Sequence, residues 1–411
     1  MNNLLIKNIG RLYQTDNNDR NYVKGAEMAV LPYIDNAYIL IKNGLIENFG
    51  SMDECPLSEN IPQIDVQGKM VLPAWCDSHT HIVYPQSREI EYIDKIKGLS
   101  YEEIAKRGGG ILNSAKKMKE TSEEYLFTTA MQRLEAMKSF GTGAVEIKSG
   151  YGLSTSEELK MLRVIKQLKQ ESDLTIKATF LGAHAIPLEY KNDRKKYIDL
   201  IVNEMIPEIK QEQLADFIDV FCDKGFFTVE ETERILEAGI EAGLRPKIHA
   251  NELDFSGGVQ VGVKYNALSV DHLEYMGDNE IETLLKSETM PTILPGAAFF
   301  LGMIYAPARK MMDRGLPLAL ATDFNPGSSP SGNMQLIISM GSILYKMTPE
   351  EVINAVTLNS AYAMGVEKEL GSIAKRKKAN IIILKDIPSI AYLPYAFGEN
   401  KVEKVIINGI I

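Results

Sequence analysis

Cysteine, histidine and tryptophan are scarce in this chain of 411 residues, at three, five and one copies. Cys55, Cys76 and Cys222 lie too far apart for a disulfide framework or a thiolate zinc site. They read as reduced, buried thiols, and Cys76, beside a histidine motif, is the one placed to share in chemistry. Long apolar runs are missing as well. No stretch reaches the roughly 18 apolar residues of a membrane helix, and the start, MNNLLIKNIGRLYQ, lacks the apolar segment of a secretory leader. A cytoplasmic protein with no membrane contact is expected. Positive charge is in deficit: 45 Lys and Arg against 55 Asp and Glu give a net charge of −10, which argues against a nucleic-acid partner. The basic run KRKK at 375–378 is expected to be a solvated turn. The glycine triplet Gly108, Gly109 and Gly110 lacks the spacing of a phosphate-binding loop and is read as a hinge.

Hydrophobic residues at 45% and charged residues at 24% match a globular protein with an ample core. Eight short β-branched runs recur, at 71–82, 141–148, 173–183, 216–222, 245–250, 267–272, 290–295 and 317–323. Helix-period stretches with start signals separate most of them. Ser154 to Glu158 opens LKMLRVIKQLKQ, and Thr228 to Glu231 opens a second such stretch. Strand then helix, repeated eightfold, predicts an α/β fold, a (β/α)8 TIM barrel over 71–369. Residues 1–70 and 370–411 hold further short strands, such as YILIKNGLIENFG and KVEKVIINGI, and predict a small β-sandwich domain built from both terminal segments. The stretch 84–140, between the first two barrel strands, is long for a connection and reads as a lid with two helices.

All five histidines end strand-like runs: His79 and His81 in DSHTH, His184 in LGAHA, His249 in HANE and His272 in DHLE. A further run ends in Asp323 of ALATDFNPG. Barrel enzymes keep their chemistry at the carboxyl ends of the strands, where these six residues fall. His79 and His81, two apart, share a strand face and can clamp one ion at about 2.0–2.1 Å. Alone, His-Thr-His serves equally well as two unrelated histidines. His249 and Asp323 add a nitrogen and an oxygen, giving three or four ligands with a position left for water.

Taken together, DSHTH after strand one, histidines after strands five and six, and an aspartate after strand eight resemble the amidohydrolase superfamily. KSGYGL (148–153), LGAHA (181–185), HANE (249–252), DHLE (271–274), LPG (294–296) and ATDFNPGSSP (321–330) closely resemble the imidazolonepropionase family, over essentially the whole chain. That family opens 4-imidazolone-5-propanoate to N-formimidoyl-L-glutamate in histidine degradation. Asn251 departs from the pattern, which more often has aspartate there, and is not a ligand in it.

The resemblance implies that His79, His81, His249 and Asp323 hold one Zn2+ or Fe3+ per chain. A second ion would need a carboxylated lysine at the end of the fourth strand, and 216–222 has no lysine; Lys224 and Lys148 are read as surface or structural cations. Glu252, with His272 as partner, is implied to manage the proton of the attacking water, and Asp323 is the alternative base. Read without the family, His272 is also a satisfied core histidine and Glu252 a helix-start carboxylate. Arg88, otherwise one arginine of a surface segment, is implied to grip the substrate propionate through two hydrogen bonds. Tyr151 and His184 are implied to contact the ring, with His184 on the carbonyl oxygen, and Glu252, Asn325, Gly327 and Ser328 to line the substrate site. A homodimer is implied too. Two other readings stay open: a purine or pyrimidine deaminase or cyclic amidase on the same fold, and a non-catalytic barrel scaffold.

Overall fold

The computed structural model describes residues 3–17, 20–56, 61–99, 103 and 109–410. Strands β1 (Leu4–Tyr13), β2 (Tyr33–Lys42), β3 (Leu45–Ser51), β4 (Gln63–Asp65) and β5 (Met70–Pro73) open the chain. Eight parallel strands follow in sequence order: β6 (Trp75–Thr80), β7 (Thr142–Lys148), β8 (Thr175–Ala183), β9 (Phe217–Cys222), β10 (Arg245–Ala250), β11 (Ser269–His272), β12 (Met290–Ile293) and β13 (Ala319–Leu320). Strands β14 (Ile381–Leu384) and β15 (Val402–Ile406) then rejoin the first group in one seven-stranded mixed sheet, order β15-β14-β5-β1-β2-β3 with β4 on β1. Ile6, Ile9, Ile39, Val71, Ile381 and Ile406 form that sheet's own apolar cluster.

The barrel is closed where β13 meets β6. Asp323 donates its N–H to His79 O at 3.0 Å and His81 donates to Phe324 O at 2.9 Å. Both bonds join the two ends of the sheet at the level of the predicted metal ligands. Ile218, Ile248 and Val270 point outward onto the helices, against Gly239 and Gly262, where a Cβ would collide with Ile218 and Val270. Their neighbours Asp219, His249 and Asp271 therefore point inward by strand alternation.

Several expectations need adjusting. The run 71–82 is two strands in two sheets. Pro73 ends β5, Ala74 donates to Asn380 O beside the mixed sheet, and Trp75 donates to Gly141 O of the barrel, each at 2.9 Å. The run 317–323 pairs as a strand only at Ala319–Leu320; Thr322 is held instead by the Asp77 carboxylate, through its N–H at 3.0 Å and its hydroxyl at 2.6 Å. KRKK does lie in a turn, but Lys377 is buried and donates to Glu367 O, Leu370 O and Ser372 Oγ. The segment after β6 carries three described helices, α1 (Glu89–Ile96), Ile111–Glu120 and Glu123–Ser139, rather than two. Of the glycine triplet, Gly108 lies outside the described residues, and Gly110 sits at φ 83° with its N–H on Glu91 Oε2. The two helix starts read from sequence hold: a helix spans Thr155–Glu171, and Thr228 with Glu231 forms a reciprocal capping box on Val229–Glu241.

Candidate active site

His79 and His81 project from β6 into the barrel mouth, with their Nε2 atoms 3.3 Å apart. His249, at the end of β10, brings a third nitrogen, and the three rings offer donor atoms all within 4.8 Å of one another. Asp323 completes the group: its Oδ1 lies 3.6 Å from His79 Nε2 and 3.5 Å from His81 Nε2. The chain reaches this position by turning left-handed at Asp323, φ 52°, a conformation that non-glycine residues adopt rarely and that functional sites retain.

The donor set fits a metal ion. His79 Nδ1 is 2.7 Å from Asp271 Oδ2, which leaves Nε2 as the lone pair facing the centre. Burial, then the positive charges of nearby Lys148 and the other histidines, hold His79 well below its ordinary pKa, so its ring is neutral. His81 is depressed in the same way by burial and by His184 and His249. His249 Nε2 is buried and has no hydrogen-bond partner among the described residues. Asp323, despite hydrogen bonds from Asn325 and Ser328, is pushed up to about 8 by burial. Neutral imidazoles and a carboxylate short of positive charge are what a dication satisfies.

Glu252 and His272 flank this centre. Glu252 Oε2 lies 3.7 Å from His272 Nε2. Burial, with repulsion from Asp323 and Asp223, raises the Glu252 carboxyl to about 8. Its backbone is fixed by Asp223 Oδ2, which accepts from Glu252 N at 2.7 Å and Leu253 N at 2.9 Å. His272 stands at φ 85° at the end of β11, and its Nδ1 is 3.8 Å from Glu274 Oε2. Asp271, next to His272 in the chain, holds His79.

A cavity of about 990 Å3 opens above the centre. His81, His249, Glu252, His272 and Asp323 form its floor, and Arg88, Tyr151, His184, Asn325, Gly327 and Ser328 line its walls. Thus every predicted site residue lines one cavity except His79, which lies just beneath. Arg88, at the start of α1, bonds Glu91 Oε2 through Nε at 2.7 Å. Its guanidinium packs against Gly327, where any Cβ would overlap Nη1. His184 Nδ1 lies 2.9 Å from Gly150 O, a carbonyl that can only accept, which assigns the proton to Nδ1. Burial and His249 lower its pKa to about 3. The Nε2 of a neutral ring in that tautomer accepts a hydrogen bond and cannot donate one to a carbonyl oxygen.

The network of buried charges beneath the site went unread in the sequence. Glu146 and Lys148 in β7, Asp219 in β9, Lys247 in β10 and Asp271 in β11 are all fully or almost fully buried beneath the histidines. Their signal was available: charged residues inside otherwise apolar strands, at inward positions. Lys95, Tyr92 and Phe300 also line the cavity. Lys148 is a buried structural cation, and Lys224 an exposed one, paired with Asp254 at 2.7 Å. Cys76 takes no part in the site: it packs in an apolar cluster with Ala144 and Ala361, and burial raises its thiol to about 12. Cys55 is only half-buried, unlike Cys76 and Cys222.

The family model described as the amidohydrolase family matches residues 70–411, the barrel and the end of the chain. The chain belongs to the amidohydrolase family. Its sequence is 58% identical over 405 residues to the imidazolonepropionase of Flavobacterium johnsoniae, covering 98% of each chain. It is 56% identical over 406 residues to that of Christiangramia forsetii, covering 99% of each. Among solved structures, Escherichia coli guanine deaminase superposes with a TM-score of 0.76 at 14% identity, over 99% of this chain and 98% of that one, a likeness of fold. In an amidohydrolase, the buried cluster of His79, His81 and His249 is a group that could hold a metal ion. No helix among the described residues is long and apolar enough to cross a membrane.

Proposed function

We propose that this amidohydrolase opens the cyclic amide of 4-imidazolone-5-propanoate to N-formimidoyl-L-glutamate, a step of histidine degradation, at one Zn2+ or Fe3+ per chain. The observation that carries the reading is the joining of a four-donor centre and a guanidinium in one cavity. The near-full-length relatives named imidazolonepropionase support it. His79, His81, His249 and Asp323 would hold the ion, which when bound supplies water activated near neutral pH and polarises the ring carbonyl.

The chain's own groups do the rest. Arg88 grips the propionate and sets the ring over the floor of the cavity. Glu252 takes a proton from the attacking water and returns it to the ring nitrogen as the carbonyl–nitrogen bond breaks, leaving a new carboxylate and a formimidoyl N–H. His272 orients Glu252 from 3.7 Å. Asp323 is the second candidate for the same proton. His184, neutral and protonated at Nδ1, accepts a ring N–H, and Tyr151, with its ring 5.5 Å from that of His184, closes the ring's flank. Asn325 Oδ1 accepts from Gly327 N and Ser328 N at 2.7 and 2.8 Å, shaping the loop that faces the substrate. The same reading makes the protein a cytoplasmic homodimer without nucleic-acid or membrane partners. Its small domain is built on the sheet of β1–β5, β14 and β15, beside a catalytic barrel that begins at β6.

Arg88→Met tests the substrate assignment. It removes a charge-assisted, two-pronged contact worth about 1.5–3 kcal/mol, so kcat/KM for the acid should fall roughly 10- to 150-fold, mainly through KM, with metal content unchanged. A ring lacking the propionate should be handled equally poorly by both proteins. Full activity of the variant would show that this pocket does not read the propionate.

A further inference from the structure

Two lysine side chains lie sealed in the barrel below the metal centre. Lys148 Nζ is 2.6 Å from Glu146 Oε1, 2.9 Å from Asp219 Oδ2 and 3.8 Å from Asp271 Oδ2, and all four side chains are fully buried. Lys247 Nζ donates to Ser78 O at 2.9 Å, next to His79, and pairs with the other Glu146 oxygen. Charges this deep persist only when paired.

The pairing reaches the metal ligands. Asp219 Oδ2 lies 2.9 Å from Lys148 Nζ and 2.9 Å from His249 Nδ1, while its Oδ1 accepts from His249 N at 3.1 Å. Asp271 Oδ2 likewise faces both Lys148 and His79 Nδ1, the latter at 2.7 Å. In each carboxylate, one oxygen approaches both the lysine and a ligand histidine, as a hydrogen bond at His79 Nδ1 and as a close contact at His249 Nδ1.

We propose that Lys148 is a positioning residue: it ties together the two carboxylates that aim His79 and His249, so that the barrel interior sets how tightly the metal is held. Asp271 Oδ2 also lies 3.9 Å from Lys247 Nζ, so Lys148 is the cation that Asp219 and Asp271 have in common; without it they lose that shared anchor, and each imidazole is less firmly held by its carboxylate. Partners of this kind fix the tautomer and ring orientation of ligand histidines, and their loss weakens metal affinity about 10- to 100-fold. The inference rests on the metal-centre reading above.

Zinc affinity measured by chelator competition tests it, in wild type, Lys148→Met and the charge-balanced double variant Glu146→Gln/Lys148→Met. Wild type should hold about one ion. Both variants should bind about 10- to 100-fold more weakly, and their Co2+-substituted forms should show shifted absorption bands. Metal should also raise the variants' Tm by less than it raises that of wild type. Equal affinities, with metal-free and metal-loaded Tm lowered by the same amount, would make Lys148 merely structural and overturn the proposal. Failure of both variants to fold would assign Lys148 to the fold and overturn it too. A wild type that binds no ion would instead overturn the metal-centre reading itself.

Discussion

Glu252 and Asp323 are both buried carboxyls on the floor of one cavity, and both are raised to about 8. Their surroundings differ. Asp323 faces two imidazole nitrogens at 3.5 and 3.6 Å, as a ligand does. Glu252, on the same floor, has a single imidazole beside it, His272 Nε2 at 3.7 Å, as the base reading requires. Glu252→Gln should therefore keep the metal and lose about 10²- to 10⁴-fold in kcat, the usual worth of a general base. His272→Ala should lose activity without losing metal. Near-normal turnover by Glu252→Gln would move the proton to Asp323, and metal-free protein from His272→Ala would make His272 a ligand.

At the scale of elements, the proposed reading makes specificity depend on how α1 meets the loop after β13. Arg88 starts α1, and its guanidinium lies against Gly327 of that loop. The helix buries none of its residues, and this contact, the Glu91 bonds and the stacking of Tyr92 on Phe300 at 5.0 Å help to place it. Gly327→Ala should push the flexible Arg88 side chain aside with little effect on folding. Steady-state kinetics should then show KM raised in the manner of Arg88→Met at similar kcat; an unchanged KM would detach Arg88 from the substrate. The elements themselves were largely legible in the sequence. Strand ends marked by His79, His81, His249, His272 and Asp323 carry their own register, because alternation fixes which side chain faces inward. The break at Pro73–Trp75 was not legible, since both halves are apolar and only the partners of Ala74 and Trp75 differ. Nor was the pairing of Lys148 with Asp219 and Asp271, which come from three strands and meet only once the barrel closes.

Across the whole molecule, metal, proton and fold are linked. A carboxyl whose folded pKa is raised binds protons in the folded state that the unfolded chain has released. Asp323 and Glu252 thus lower metal-free stability as pH climbs from the ordinary carboxylate range toward about 8. An ion must displace the Asp323 proton, so metal affinity should rise with pH across that window. His79 and His81 are already neutral there and add little competition. Chelator competition at a series of pH values checks this, and a flat profile would remove Asp323 from the ligand set. The central claim is tested most directly by anaerobic turnover of 4-imidazolone-5-propanoate, with hydantoin, guanine and cytosine offered alongside and N-formimidoyl-L-glutamate measured as product. The propanoate alone should be consumed, and consumption should stop when the metal is chelated and resume when it is restored. Release of ammonia from guanine or cytosine, with the propanoate untouched, would contradict the account.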